Sequence, residues 1–276
     1  MFLCIILNKK EMRNDLFKRE LKRNWKSFLV SCLICSVMAV YMISMSPSFG
    51  KDIQQLINLK FPKVLQTALG LPQLDFSQAI SFFALSFSYL YLFISIYIST
   101  IFATIVSKEF SEKTAEYLFS LPAKRIDIIF TKLSVAFLYT FLTVVTVFLS
   151  SWLSFAINIK EKYDIGLVAL MSLAWLIGGI ALGSIAFLLS SFFTKTRTVT
   201  SVSIGFVLGL YLLQVVISVN SKLTYLKYIS PFDWFKGSEI AATGEISFTY
   251  CLIAICVTII SLFIGIYRFK KMDVLI

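Results

Sequence analysis

Histidine is absent from this chain of 276 residues, and charged side chains make up only 15% of it. Without histidine, most zinc sites and serine–histidine catalysis are excluded. The GxxxxGK[ST] pattern of a nucleotide-binding P-loop is missing as well. No Asp, Glu, Lys or Arg lies in the middle of an apolar run, where ion-coupled transporters place ionisable groups. We therefore predict a protein that is not an enzyme and binds no metal or cofactor of its own.

Long apolar runs dominate the rest of the sequence. Hydrophobic residues account for 58% of the chain and the mean hydropathy is +0.84, more than a soluble protein of this size carries. About 20 apolar residues cross the bilayer core as a helix, whereas an open sheet would leave backbone groups unpaired in lipid. The sequence therefore predicts an all-α polytopic membrane protein. The six predicted spans are 28–46, 79–106, 128–157, 165–193, 199–219 and 248–267.

The net charge of +11 comes from basic residues at the ends of these runs. Most of the 26 lysine and arginine residues fall in the N-terminal segment, in the loops after the second and fourth spans, and in the C-terminal tail. Because loops rich in Lys and Arg stay in the cytoplasm, both termini are predicted to be cytoplasmic, in a bacterial plasma membrane. Anionic membrane lipids explain the positive charge, so no nucleic-acid partner is expected.

The N-terminal segment 1–27 is predicted to be a cytoplasmic tail with an amphipathic interface helix, followed by a membrane domain of six spans at 28–276. In the predicted interface helix, basic residues occupy one face and apolar residues the other, a pattern suited to the membrane interface. The apolar face consists of Leu16, Phe17, Leu21, Trp25 and Phe28. Because this pattern begins at Met12, we expect translation to start there.

Two segments on the predicted outer side carry further signals. The segment 47–78 contains a second amphipathic stretch, which Pro62 interrupts. The segment 220–247 contains Pro231 among aromatic residues. Proline prevents a continuous helix and aromatic rings favour the interface, so we predict a short broken or re-entrant element there.

Two pairs of glycines are spaced for close helix packing. Gly179 and Gly183 lie in the fourth predicted span, and Gly205 and Gly209 lie in the fifth. The GxxxG spacing lets two helices approach closely. It leaves open whether the partner helix belongs to this chain or to another subunit.

The stretch SKEFSEKTAEYLFSLPAKRIDI is the longest charged island between two predicted spans. Its apolar residues recur at helical spacing from Phe110 to Leu121, and acidic residues flank them. Pro122 ends the pattern. We predict a short cytoplasmic helix from Glu109 to Leu121, held at both ends by spans and able to receive force from a docked partner. The alternative is an ordinary connector lying on the membrane.

The segment KEFSEKTAEYLFSLPAKRIDIIFTK resembles a loop of the type-2 ABC transporter permeases, which have the type V exporter fold. Lys113 departs from the pattern, because glycine is common there. The segments FPKVLQTALGL and YISPFDWF are also similar to that family, and the resemblance covers about residues 12–276. The residues that match the loop are Glu109, Thr114, Glu116, Leu118, Ser120, Pro122, Arg125 and Lys132.

The resemblance implies a permease subunit that pairs with a second six-span subunit, identical or different. Each subunit docks a separate cytoplasmic ABC ATPase, which binds the ATP and Mg²⁺. The loop after the second span is then the coupling helix. The residues implied to contact the ATPase are Glu109, Phe110, Glu112, Thr114, Glu116, Tyr117, Leu118, Ser120, Pro122 and Arg125.

Three classes of function remain at this point. The first is an ATP-driven exporter of a hydrophobic or amphipathic cargo, such as a drug, an antimicrobial peptide or a lipid-like molecule. Export is favoured over import only by the resemblance. The second is a passive or structural membrane protein, channel-like or an immunity factor, without an ATPase. The third, an intramembrane enzyme, is disfavoured by the missing histidine and buried acids.

Overall fold

The computed structural model describes the backbone of residues 2–60, 66, 74, 78–112, 114, 125–159 and 163–271. Side chains are described for these residues except 2–12, 47–60, 221 and 224. Within these ranges the chain forms helices and no strand, which confirms the all-α prediction.

Six long helices carry the apolar runs, and each corresponds to one predicted span. They are α1 (Phe2–Lys60), α2 (Ala79–Ser111), α3 (Arg125–Asn158), α4 (Ile165–Ser190), α5 (Thr196–Val219) and α8 (Phe248–Lys271). Three short helices connect α5 to α8, namely a 3₁₀ helix (Ser221–Tyr228), α6 (Pro231–Trp234) and α7 (Gly237–Thr243). All six long helices are long and apolar enough to cross a membrane. The protein is therefore a multi-pass membrane protein with six spans.

The helix α1 is longer than the sequence predicts. The sequence predicts an interface helix that ends before a separate span begins at residue 28. The structure instead has one uninterrupted helix from Phe2 to Lys60. The expected end of the first span at Ser46 is also passed, since Pro47 lies inside the helix. Within residues 13–46, whose side chains are described, α1 is long and apolar enough to span a membrane.

The helices α1 and α3 run parallel and contact each other between Glu20 and Ser44 of α1. Near their N-terminal ends, the Tyr139 hydroxyl donates to the Leu21 carbonyl oxygen at 2.6 Å. Near their C-terminal ends, the Asn158 amide donates to the Ser44 hydroxyl at 3.1 Å. These contacts fix the register of α1 against α3.

The helix α2 lies at the centre of the bundle. Most of its side chains are buried, whereas most of α8 is turned outward. Trp175 of α4 packs against two rings of α2, with centroids 5.7 Å from Phe83 and 5.1 Å from Phe87. A movement of either end of α2 therefore has to displace side chains of its neighbours, because a packed interior leaves little free space.

Candidate functional site

Four charged side chains from three helices meet at the end of the bundle where α1 and α3 begin and α2 finishes. We call this end the basic end, and we call the group the three-helix ion cluster. Its members are Glu20 and Arg23 of α1, Glu109 of α2 and Lys132 of α3.

Lys132 lies at the centre of the cluster, with its side chain only 1% exposed. Its Nζ donates to Glu20 Oε1 at 2.6 Å, to Glu109 Oε1 at 2.9 Å and to the Ile105 carbonyl oxygen at 3.2 Å. An ammonium group has three N–H donors, and all three have acceptors here. One lysine thus joins all three helices.

Both carboxylate oxygens of Glu109 accept hydrogen bonds. Its Oε1 accepts from Arg23 Nη1 at 2.8 Å and from Arg19 Nη2 at 3.2 Å, in addition to Lys132. Its Oε2 accepts a short hydrogen bond from the Thr114 hydroxyl. The backbone N–H of Thr114 also donates to the Glu109 carbonyl oxygen at 3.0 Å. Glu109 therefore anchors Thr114, three residues beyond the end of α2.

Glu20 is fully buried on the face of α1 that meets α2 and α3. Its Oε2 accepts from Arg23 Nη2 at 3.0 Å, and its carbonyl oxygen accepts from the Asn24 amide at 3.0 Å. Asn24 in turn accepts from Lys108 Nζ at 3.0 Å. The buried polar face of α1 is thereby tied to the last turns of α2.

The cluster is balanced in charge. Two carboxylates, Glu20 and Glu109, face two cations, Lys132 and Arg23, and Arg23 is partly open to solvent. Removing a charge from water costs several kcal/mol per ion, and only close pairing with full hydrogen bonding offsets this. The arrangement is stable as a set and intolerant of losing one member.

The chain between these anchors is the segment predicted to contact an ATPase. Glu109 and Phe110 lie in the last turn of α2, Glu112 follows it with 54% of its side chain exposed, and Arg125 begins α3. Thr114 is described and bonded to Glu109. The other predicted contact residues lie outside the described residues, and they are Glu116, Tyr117, Leu118, Ser120 and Pro122.

One continuous helix from Glu109 to Leu121 is not what the structure shows. The helix α2 ends at Ser111, and Thr114 is not helical. The reason is local, because the Thr114 N–H bonds to the carbonyl oxygen five residues back and its hydroxyl bonds to the buried Glu109 side chain. Glu109 has its partners inside the chain, and its contact with an ATPase stays a prediction.

The two glycine pairs have different surroundings. A Cβ on Gly179 would lie 2.6 Å from Ile98 Cδ1, and one on Gly183 would lie 2.9 Å from Phe102 Cδ2. The first pair therefore packs α4 against α2 within this chain. A Cβ on Gly205 or Gly209 would meet no described atom within 4 Å, so this part of α5 has an open face.

The end of the bundle opposite the basic end contains the predicted broken element. Proline begins α6 at Pro231, and the four residues of α6 are all buried. Its Phe232 ring lies 4.7 Å from the ring of Tyr91 in α2. The carboxylate of Asp233 is buried and lies 2.7 Å from Lys236 Nζ. The prediction of a broken element at this position is confirmed.

Sequence reasoning missed Glu20, Arg23 and Asn24 as site residues. The predicted apolar face of α1 includes Trp25, which is 46% exposed in the structure, whereas Glu20 and Asn24 are buried. An acidic residue at helical spacing from Leu16 and Asn24, inside a basic segment, was the available signal.

The comparisons with known proteins give one result. No curated protein matches the chain. The model of the family described as ABC-2 family transporter protein matches residues 6–274, almost the whole chain. This match and the six apolar spans agree in extent. The chain therefore belongs to the ABC-2 transporter family, whose members are the membrane permease subunits of ABC transporters.

Proposed function

We propose that this permease exports a hydrophobic or amphipathic cargo across the bacterial plasma membrane, driven by a separate cytoplasmic ABC ATPase that binds the ATP and Mg²⁺. The observation that carries the proposal is the family match together with the ion cluster that frames residues 113–124. A segment held at both ends by a buried ion pair is a suitable site for receiving force. The open face of α5 at Gly205 and Gly209 supports a second permease subunit as a further partner.

The proposal places the basic end of the bundle in the cytoplasm. Lysine and arginine residues concentrate at this end, as the rule for membrane orientation requires. The test is labelling of single introduced cysteines in intact cells with a membrane-impermeant thiol reagent. In a cysteine-free chain, Lys222→Cys on the opposite end is expected to react and Lys113→Cys is not. Labelling of Lys113→Cys before lysis would reverse the orientation.

Docking of the ATPase is expected to depend on apolar residues of the segment more than on its acids. Burial of a leucine-sized side chain contributes about 1.5–3 kcal/mol, whereas an exposed ion pair contributes about 0–1 kcal/mol. Leu118→Asp is therefore expected to release the ATPase, and Glu116→Ala is expected to leave assembly largely intact.

The measurement is the amount of ATPase that co-purifies with the permease, followed by MgATP hydrolysis of the complex in nanodiscs. Size-exclusion profiles check that both variants remain folded. If Leu118→Asp retains full binding and full hydrolysis, the segment is only a surface connector. If no P-loop ATPase co-purifies with the wild-type chain, the result favours the alternative function, a passive or structural membrane protein without an ATPase.

A further inference from the structure

The ion cluster joins α1 to the base of the 113–124 segment, and this connection has a consequence for α1. The N-terminal part of α1 is not a separate interface helix, because the same helix continues into the first span. Its basic part is fixed to α2 through Arg23 and Glu109, 2.8 Å apart, and to α3 through Glu20 and Lys132, 2.6 Å apart. Any displacement of the segment must therefore act on α1 as well.

We propose that Glu20 and Lys132 are positioning residues of the coupling step, which hold α1 to the base of segment 113–124 so that α1, the end of α2 and the start of α3 move as one body. This inference rests on the proposed function. It adds that the first span receives the movement directly at the basic end, and not only through α2 and α3.

The chemistry of the cluster favours a fixed connection over a sliding contact. Both carboxylates share one ammonium group, and both are buried. Two buried carboxylates that are close enough to bond to the same ammonium group repel each other unless that cation lies between them. Sliding α1 along α3 by one turn would separate Glu20 from Lys132, so that Glu20 would keep only Arg23 as a close cation and Lys132 would keep only Glu109 and the Ile105 carbonyl oxygen. The cost of that state keeps the three helices in register.

The contacts farther along α1 and α3 support the same conclusion. Tyr139, two turns after Lys132, donates to the Leu21 carbonyl oxygen, and the Phe28 ring lies 5.0 Å from the Tyr139 ring. Deeper in the bundle, the Ser154 hydroxyl donates to the Val40 carbonyl oxygen at 3.4 Å. These are neutral and individually weak contacts. The cluster is the charged and most strongly bonded point of the α1–α3 interface.

The test measures whether α1 moves relative to α3 during the ATPase cycle. Spin labels are placed at Lys18→Cys in α1 and Ser134→Cys in α3, both exposed, in a cysteine-free chain bound to its ATPase in nanodiscs. Distances are recorded without nucleotide and after trapping with ADP and vanadate. One narrow distribution, unchanged between the two states, is expected for the wild-type connection. A change in the distance between the two states would overturn the proposal without any variant.

Glu20→Gln is the informative substitution, and Glu112→Gln is its matched control. Glu20→Gln removes the α1–α3 ion pair but leaves Glu109 bonded to Lys132 and Arg23. We expect it to lose the narrow distribution in the trapped state while the ATPase still co-purifies. Glu112 is exposed and lies 3.8 Å from Arg23, so its amide variant is expected to retain the wild-type distances. Glu20→Asp is expected to restore part of the narrow distribution.

The outcomes separate this inference from the proposed function. If Glu20→Gln keeps one narrow distance in both states, the pair is a structural contact and the positioning role is wrong. If no ATPase binds the wild-type chain, the proposed function fails, and the distances of the permease alone still report whether Glu20 fixes α1 to α3. A purely structural role would lower thermal stability without changing the distance distribution of the folded fraction.

Discussion

Replacing Lys132 by methionine is the most demanding test of the ion cluster. Methionine retains much of the aliphatic stem but removes the ammonium group that joins Glu20, Glu109 and the Ile105 carbonyl oxygen. The two carboxylates then remain buried with Arg23 as their closest shared cation. Removing one partner of a buried ion pair destabilises a protein by about 3–5 kcal/mol.

The expected loss is large on the scale of thermal unfolding. For a chain of this size, a loss of 3–5 kcal/mol corresponds to a fall in Tm of roughly 10 °C. Lys222→Met is the matched control, because Lys222 is exposed in the connection between α5 and α6. An exposed lysine contributes about 0–1 kcal/mol, so the control is expected to keep its Tm. The measurement is thermal unfolding of the purified permease in one detergent.

A second substitution distinguishes charge balance from packing. Lys132→Met combined with Glu20→Gln leaves Glu109 as the one buried carboxylate of the cluster, paired with Arg23 and the half-exposed Arg19. The double variant is therefore expected to be more stable than Lys132→Met alone, a coupling that only interacting residues show. Simple addition of the two single losses, or a Tm of Lys132→Met equal to that of the control, would refute the reasoning.

Two further predictions concern other parts of the bundle. Gly183→Ala is expected to lower stability by about 1–3 kcal/mol, because its Cβ would lie 2.9 Å from Phe102, whereas Gly205→Ala should raise Tm slightly in detergent through better helix propensity. Burial raises the pKa of Asp233 above its ordinary value of 3.8, although Lys236 opposes the shift. The protonated Asp233 therefore stabilises the fold below pH 3.8, and this contribution is lost as the pH rises through the raised pKa. Asp233→Asn should remove this pH dependence, and Tm measured from acidic to neutral pH for both chains checks it.

The six spans could be predicted because length and apolar composition are sufficient to identify them. The last five predicted runs match α2, α3, α4, α5 and α8 to within five residues at either end. The same signal failed at the boundary of α1, because an interface helix and a span can share one uninterrupted helix. Residues 14–46 contain no glycine or proline that would indicate a break. Only the change in charge suggested that the interface helix and the first span are separate helices.

Apolar spacing predicted part of the buried face of α1, because Leu16, Phe17, Leu21 and Phe28 pack against the core, but it missed the buried polar Glu20. In a soluble protein an apolar stripe faces the core, but in a membrane protein lipid also accepts apolar side chains. Trp25 and Leu33 are accordingly exposed, while Glu20 faces the protein interior. Glu20 can be buried there because Lys132 and Arg23 neutralise its charge, and apolar spacing does not report such a pair.

The ion pair between Glu109 and Lys132 joins two residues that lie on either side of segment 113–124. They are 23 positions apart in sequence, and their side chains are 2.9 Å apart in the structure. The chain between them therefore leaves and returns to one fixed point. Residues at this point determine how the segment is held, whereas residues 115–122 lie outside the described residues and are predicted to contact the ATPase. Substitutions at the base should thus change stability and helix register, and substitutions at the tip should change assembly with the ATPase.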